Sequence, residues 1–577
     1  MPAVLGLNFH HDTSAALIVD GRLYAAEEER WSGIKHHRHT HKGVLTNPTH
    51  SLAWCLDAAG ITPADIDAVW TASMRPAPAA GWWLGEEREE LAALLPAPLG
   101  DRLRLISHHT AHIMAGYLLS GHHHAAGLVI DAGGSSLGAD FGPSRERITG
   151  YDLRPDRVDR IHQAMPTVAP GPTGPRRVHP SLGHFYRNLA MRIIPPGDEP
   201  EGSLMALAAF GDPGRHRDDV RSLVRMDADG EVRIPHPLGS ADTTTPLVIG
   251  DRAWTADSAA DATLTERADL AAAVQEVFAG AVTHVARHLQ RLTGASTLVF
   301  SGGCALNSHL NGHLAADAGF ETLFVAPAPH DAGTALGAAL YAWNYQLGQP
   351  RLAVPIDAGW GPEPGRFPTT GLPAGYQAIS HLGERLEPTV AALLADRHIV
   401  GWVQGPMEFG PRALGHRSIL AHPGDTSTRE RLNALKQRAA YRPFAPAVLA
   451  EHAADWFDGD GDPFMNRVVK VRPDRAGQMS AVVHHDGTAR LQVVEAHHQG
   501  MRRLLEDFHR RTDLPLLLNT SFNLKGTPIL RTAEQAMHAA ADLRLDALAV
   551  GDTLLLADHI ANTPNGPLNS AGERPVS

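Results

Sequence analysis

The sequence predicts an α/β protein of at least two domains, and three observations carry that expectation. The chain has 577 residues, too many for one hydrophobic core. Short apolar runs that end in Gly-rich turns alternate with longer helical patterns in both halves. Between the halves lies "YQLGQPRLAVPIDAGWGPEPGRFPTTGLPAGYQ", residues 345–377, where recurrent Pro and Gly defeat helix and sheet alike.

The elements follow in order. "VLGLN" from Val4 to Asn8 reads as a short buried strand. "SAALIVDGRLYAAEEER" reads as a hairpin turned at Asp20-Gly21, a pair that accepts positive φ. "GLVIDAGG" and "STLVFSGGCALN" are apolar strands running into glycine loops, and "TLFVAPAPHDAGTALGAALYAWN" is a strand, a loop and a helix. In the second half "HIVGWVQG", "LPLLLNTSFN" and the hairpin "DALAVGDTLLLAD" repeat the theme. "MPTVAPGPTGPRRVHP", residues 165–180, reads as a surface insertion, and residues 562–577 as a disordered tail.

Composition narrows the class of function. Apolar residues make up 43% and charged residues 20%, an ordinary soluble balance. A net charge of −12 opposes a general nucleic-acid binder, which needs a basic footprint to displace counterions. Cys55 and Cys304 are the two cysteines, so no disulfide framework is expected and a reducing cytoplasm suits the chain. "MPAVLGLNFHHD" does not read as a signal peptide, and no run reaches the ~18 apolar residues of a membrane span. The expectation is a cytoplasmic protein with neither nucleic acid nor membrane as partner.

Three glycine turns close strands of the first half: Asp131 to Gly134 (with Gly133), Ser301 to Cys304 (with Gly302 and Gly303), and Asp331 to Thr334. Any one alone is an ordinary tight turn. Three together, two with an Asp at the strand end, suit backbone N–H groups that cradle phosphates. None matches the P-loop, which points to a nucleotide cleft of the actin and sugar-kinase type. Asn307, just after the second turn, joins that candidate set.

"SHHTAHIMAGY", residues 107–117, raises a separate question. On a helix, His108 and His112 project from one face and can share a divalent metal with a carboxylate from elsewhere. His109 is a rival ligand, and Glu is absent from the position an H-E-x-x-H protease needs. With 35 His in the chain, spacing alone leaves metal binding and simple decoration of a helix equally open. The runs His36-His37, His122-His123-His124 and His497-His498 are read as exposed polar faces.

The second half gathers cations near Gly, Pro and Asn turns. Arg412 and Arg417 lie in "MEFGPRALGHRSIL"; Lys436, Arg438 and Arg442 in "LNALKQRAAYRPFAP"; Arg490 in "HHDGTARLQ". Asn519 and Ser521 stand at a strand end in "LNTSFN". Guanidinium forks and a compact ammonium suit phosphate oxygens, so the set reads as a small-anion pocket. For Arg438 alone, surface salt bridging explains the residue better.

Taken in order, these segments carry a resemblance. "HHDTSAALIVDGRLYAAEEERWSGIKH", "HHTAH", "VIDAGG", "EGSLMALAAFG", "SGGCALN", "HDAGTALGAA", "MEFGPRALGHRSIL", "YRPFAPAVLAE", "HHDGTARLQVV" and "LLLNTSFNLKGTPI" resemble the O-carbamoyltransferases of nodulation and antibiotic biosynthesis, from about Val4 to Asp558. The resemblance implies a two-lobed, actin/sugar-kinase-like carbamoyl-transfer domain over residues 1–350, similar to the tRNA threonylcarbamoyl-transfer protein. A linker over 351–376 and an α/β, YrdC-like activating domain over 377–561 follow. It implies iron or another divalent transition metal on His108, His112 and Asp331. It further implies ATP and carbamoyl phosphate as co-substrates, Mg²⁺ with the ATP, a carbamoyl adenylate intermediate, and a small-molecule natural-product hydroxyl as acceptor. A homodimer is left open.

Under that resemblance Lys436, Arg412, Arg442 and Arg490 neutralise phosphate during activation. His11, beside Asp12, is the candidate base or acceptor-orienting group, and Lys35 a candidate partner of the adenylate phosphate. The alternative is a tRNA threonylcarbamoyladenosine-forming transferase, which the negative net charge opposes; a third is a nucleotide-binding regulator. Departures from the family pattern are Ser203 in place of Lys, Thr527 in place of Glu, His313 in place of Arg, and no acidic residue directly after the glycines of "VIDAGGSS". Trp82 and Trp83 suit either an acceptor pocket or core packing.

Overall fold

The computed structural model describes residues 2–37, 46–73, 82–135, 145–169, 176–178, 180–234, 238, 245–353, 357–368 and 370–562. The chain forms two compact units: residues 1–27 with 39–354, and residues 28–38 with 355–577. Both are mixed α/β. Among the described residues no helix is long and apolar enough to cross a membrane.

The first unit holds two five-stranded sheets with one topology. In the first, β1 (Ala3–Asn8) pairs antiparallel with β2 (Ser14–Val19), and β2 with β3 (Arg22–Glu27). On its other side β1 pairs parallel with β4 (Ala68–Ser73), and β4 with β5 (Leu103–Ser107). The second sheet repeats the pattern. Its β6 (Ala125–Ile130), β7 (Ile148–Arg154) and β8 (Arg157–Gln163) run antiparallel. There β6 also pairs parallel with β9 (Thr297–Ser301), which pairs parallel with β10 (Thr322–Phe324). The β2–β3 hairpin turns where the sequence indicates, with Asp20 at φ 49 and Gly21 at φ 77.

Small residues bring two helices onto the first sheet. Helix α1 (His108–Leu119) starts at Ser107, whose side chain accepts the Thr110 N–H. Helix α2 (Ala332–Tyr341) reads "AGTALGAALY". A Cβ on Gly6 of β1 would lie 1.9 Å from the Ala335 carbonyl oxygen, and one on Gly337 would lie 1.7 Å from that of Ala111. Strand β1, α2 and α1 therefore touch backbone to backbone, a contact only glycine permits. That approach places Asp331, directly before α2, beside the first turns of α1.

The second unit is built on a ten-stranded sheet, with the apolar strands β11 (Val400–Val403), β12 (Arg417–Ala421), β13 (Ala445–Leu449) and β14 (Leu516–Ser521) in its middle. Strand β14 lies between β12 and β13, antiparallel to both. Helix α3 (Gln499–Thr512) buries Met501, Leu504, Leu505 and Phe508, the 3–4 spacing of one helical face. The "DALAVGDTLLLAD" hairpin forms with Val550 opposite Thr553.

Three expectations need correction or restriction. The segment 28–38 groups with the second unit, although it follows directly on β3 of the first. His37 and His498 are buried rather than on exposed faces: His37 Nδ1 meets Ser32 Oγ at 2.9 Å, and His498 Nε2 meets the Leu414 carbonyl at 2.7 Å. Within the expected insertion, Thr167–Ala169 and Arg176–Val178 pair as short antiparallel strands. Residues 170–175, residue 179, the tail 563–577 and the side chains of Trp82 and Trp83 lie outside the described ones.

Candidate functional site: a buried His-Asp cluster and a cationic pocket

In the first unit, four side chains converge below the N-terminus of α1. His108 and His112, one turn apart, aim their Nε2 atoms at each other across 3.0 Å. Asp331 Oδ1 lies 3.4 Å from His112 Nε2 and 3.6 Å from His108 Nε2. Asp131, just past the end of β6, places Oδ2 3.4 Å from His108 Nε2. All four are buried, and their donor atoms lie within 4.8 Å of one another.

Two imidazoles and two carboxylates at this separation form a complete donor set for a divalent cation. The electrostatics agree. Burial alone would push His108 down, but Asp331 and Asp131 overcome it and hold its pKa up at about 10. Burial favours a protonated Asp331, yet His11, His108 and His112 hold its carboxyl well below the usual range. A dense negative pair facing two imidazole nitrogens is what a cation needs.

His11 stands at the rim. Its side chain is 45% exposed, with Nδ1 2.8 Å from Asp12 Oδ2 and Nε2 3.3 Å from Asp331 Oδ2. His10, next to it in the chain, is half-buried with Nε2 shielded, and desolvation followed by the charge of His108 lowers its pKa to about 3, so it stays neutral. His109 turns away from the cluster. Its Nδ1 bonds Thr149 Oγ1 at 2.7 Å, and burial lowers its pKa to about 3.

The glycine turns are tight for steric reasons. Gly134 donates its N–H to the Glu146 carbonyl, Gly302 to the Pro329 carbonyl, and Gly303 to Asp131 Oδ1. A Cβ on Gly302 would lie 2.3 Å from the Ile130 carbonyl oxygen. Asn307 caps the short helix Ser308–Asn311 through the Leu310 N–H and pairs with Gln275. Those N–H groups are spent within the protein, so Gly134, Gly302 and Gly303 do not present the open donor cradle expected of them.

In the second unit the cations do gather. The Glu408 carboxylate accepts the N–H groups of Leu414, His416 and Arg417, folding the loop that carries Arg412. Lys436 is buried and donates from Nζ to the carbonyls of Ser521 (2.6 Å) and Asn523 (3.2 Å) and to Asn523 Oδ1 (3.1 Å). Burial, then Arg438, Arg442 and Lys35, depress its pKa well below the usual ammonium value. Burial, then Arg412 and Arg442, lower Arg490 to about 9, and burial lowers Arg412 to about 10. The Asp462 carboxylate opposes that lowering at both arginines. Desolvated cations that repel one another make a site that an anion would stabilise.

The comparisons with known proteins bear on both sites. Residues 98–340 match the family described as Carbamoyltransferase N-terminus, and residues 391–556 match Carbamoyltransferase C-terminus. Nodulation protein NolNO of Sinorhizobium fredii is 34% identical over 95% of this chain and 79% of that protein. The 3'-hydroxymethylcephem-O-carbamoyltransferase of Streptomyces clavuligerus is 34% identical over 69% of this chain and 72% of that protein. The chain belongs to the O-carbamoyltransferase family. It is an enzyme, a carbamoyltransferase. Among solved structures, full-length HypF in its phosphate- and nucleotide-bound form aligns with TM-score 0.32 and 14% identity, covering 59% of this chain and 55% of that one, too slight a likeness to carry an argument.

In this carbamoyltransferase the structure brings His108, His112 and Asp331 together, with His11 and Asp12 at their edge. It brings Lys436, Arg412, Arg442 and Arg490 together, and adds Lys35, which belongs to the second unit and not to the first as expected. Arg417 does not join them. Its guanidinium donates to the carbonyls of Pro362, Gly405, His416 and Arg531, which makes it a brace of the fold and not a phosphate ligand. Asn519 donates to the Ala413 carbonyl and Gln492 Oε1, and Ser521 donates from Oγ to Asn523 Oδ1. Asp131, a fourth candidate ligand, carries no sequence signal of its own: at the end of an apolar strand before two glycines it reads equally as part of a phosphate turn.

Proposed function

We propose that this enzyme converts carbamoyl phosphate and ATP to carbamoyl adenylate in the second unit and transfers the carbamoyl group to a small-molecule hydroxyl in the first. One observation carries the reading: a cationic pocket in one unit and a His-Asp cluster in the other, two chemistries on one chain. The duplicated sheet topology of the first unit supports its assignment to the actin and sugar-kinase class. The second unit is assigned to the YrdC-like class on the sequence resemblance.

In the second unit, water takes the phosphoryl group of carbamoyl phosphate, the bond from phosphorus to the carbamoyl oxygen breaks, and carbamate and inorganic phosphate result. A carbamate oxygen attacks the α-phosphorus of ATP, and pyrophosphate departs. Lys436, Arg412, Arg442 and Arg490 neutralise the phosphate charge in a desolvated site, where such contacts count most. Mg²⁺ would accompany the ATP.

In the first unit, His108, His112, Asp131 and Asp331 fit a divalent transition ion, iron by the family resemblance. When bound it supplies Lewis acidity toward the carbamoyl oxygen. The acceptor oxygen attacks the carbamoyl carbon while the bond from that carbon to the phosphate oxygen breaks. His11, its Nδ1 held by Asp12 and its ring open to solvent on one side, takes the acceptor proton on Nε2. AMP leaves with the electron pair of the broken bond.

The relatives' names supply the acceptor class: the Streptomyces clavuligerus enzyme is a 3'-hydroxymethylcephem-O-carbamoyltransferase, so a natural-product hydroxyl is proposed here. The net charge of −12 disfavours tRNA as acceptor. The test is pyrophosphate release from ATP that requires carbamoyl phosphate and no tRNA. No pyrophosphate under any divalent metal refutes the proposal.

A further inference from the structure

Two arginines beside the His-Asp cluster have no place in the chemistry above. Arg145 and Arg147 flank Glu146 at the start of β7, and both reach over the Gly133 turn. A Cβ on Gly133 would lie 3.0 Å from Arg147 Nη1 and 3.6 Å from Arg145 Cδ. A side chain at Gly133 would crowd the end of the Arg147 arm. Arg147 Nη1 lies 3.1 Å from His184 Nδ1, and its Nε is buried with no hydrogen-bond partner among the described residues.

The surroundings of the pair are unbalanced. Burial lowers Arg147 to about 10 against the pull of Asp131, and Arg145 adds repulsion. Burial also lowers Arg145, against the pull of Glu87, whose carboxylate accepts from Ser73 Oγ at 2.6 Å. On its other side Arg145 is felt by His10. Asp131 is thus the carboxylate that compensates Arg147, yet it is also one of the four cluster residues. Arg147 is half-buried, and its shielded Nε has no partner among the described residues; a divalent cation bound by Asp131 and Asp331 would take up the carboxylate charge that now opposes it.

We propose that Arg147, with Arg145, is the anchor for the phosphate group of the adenylate in the first unit. The guanidinium fork suits two phosphate oxygens, and the charge developing on AMP as it leaves is what the pair would stabilise. The proposal deepens the transfer reading and rests on it.

The test uses the full chain carrying Lys436→Ala, to silence nucleotide binding in the second unit, with Mn²⁺ present. AMP and adenosine are the probes, followed by calorimetry, and bound Mn²⁺ is counted separately. AMP is expected to bind at least about tenfold tighter than adenosine, as charge-assisted contacts to phosphate require. Arg147→Gln should erase that preference while adenosine affinity and bound Mn²⁺ stay unchanged; Arg147→Lys should keep part of it. Equal binding of AMP and adenosine before the arginine is changed overturns the proposal. So does an Arg147→Gln protein that keeps the preference, or one that loses Mn²⁺, since the arginine would then act on the cluster itself. Failure of the transfer reading would show instead as an unaltered enzyme that releases pyrophosphate but forms no carbamoylated product.

Discussion

Asp131→Asn offers a direct way to weigh the fourth ligand. The change is isosteric, leaves an oxygen for the Gly303 N–H, and removes one of two negative charges facing His108 and His112. Loss of a partner that merely orients a ligand typically weakens metal binding 10–100-fold, so loss of a ligand charge should exceed about 100-fold, or ~2.7 kcal/mol. The control is His109→Gln. His109 lies within electrostatic reach of Asp131 and His112 but bonds Thr149, so its loss should leave metal affinity within about threefold. The assay is competition for Mn²⁺ or Fe²⁺ against a chelator of known affinity, under anaerobic conditions. Equal affinities for Asp131→Asn and the unaltered protein would refute the four-ligand account, as would a large loss in His109→Gln.

Other predictions concern stability and the cationic pocket. Gly337→Ala places a methyl 1.7 Å from the Ala111 carbonyl oxygen, so it should cost about 3 kcal/mol or more, seen as a lowered Tm, and abolish metal binding by displacing α2. Arg490→Ala should raise the KM of carbamoyl phosphate or ATP about 10- to 100-fold in pyrophosphate release, whereas Arg417→Met should lower Tm by the equivalent of ~3 kcal/mol, because it strands backbone carbonyls. Burial, then His416, hold His498 near pKa 4, while an unfolded imidazole titrates near 6.5. The unfolded chain therefore takes up its proton first, so stability is full above about pH 6.5 and falls by up to ~3 kcal/mol as pH drops toward 4. His498→Gln should flatten that loss in denaturant titrations at pH 7 and pH 5.

Much of this was legible where local rules decide. The Asp20-Gly21 hairpin needs only two residues that accept positive φ, and the His108/His112 pair needs only a helix. The duplicated sheets were not legible, because β9 pairs with β6 across more than a hundred residues and no local pattern records such pairing. The same limit hid Asp131: a carboxylate at a strand end becomes a ligand only when α1 packs beside it. Arg412 and Arg417 looked alike in "GPRALGHR". What separates them is the Glu408 carboxylate, which folds the loop so that one guanidinium meets Asn466 near the other cations and the other meets backbone carbonyls. The glycine turns misled for a related reason, since close backbone approach and phosphate binding demand the same residue.

The division of labour between the two units is tested most directly by following pyrophosphate and carbamoylated product together in two variants. Asp331→Asn should keep making pyrophosphate while forming no product, and Lys436→Ala should lose both. Should Asp331→Asn stop pyrophosphate release as completely as Lys436→Ala does, or still form product at the normal rate, the two sites would not be the separate steps described.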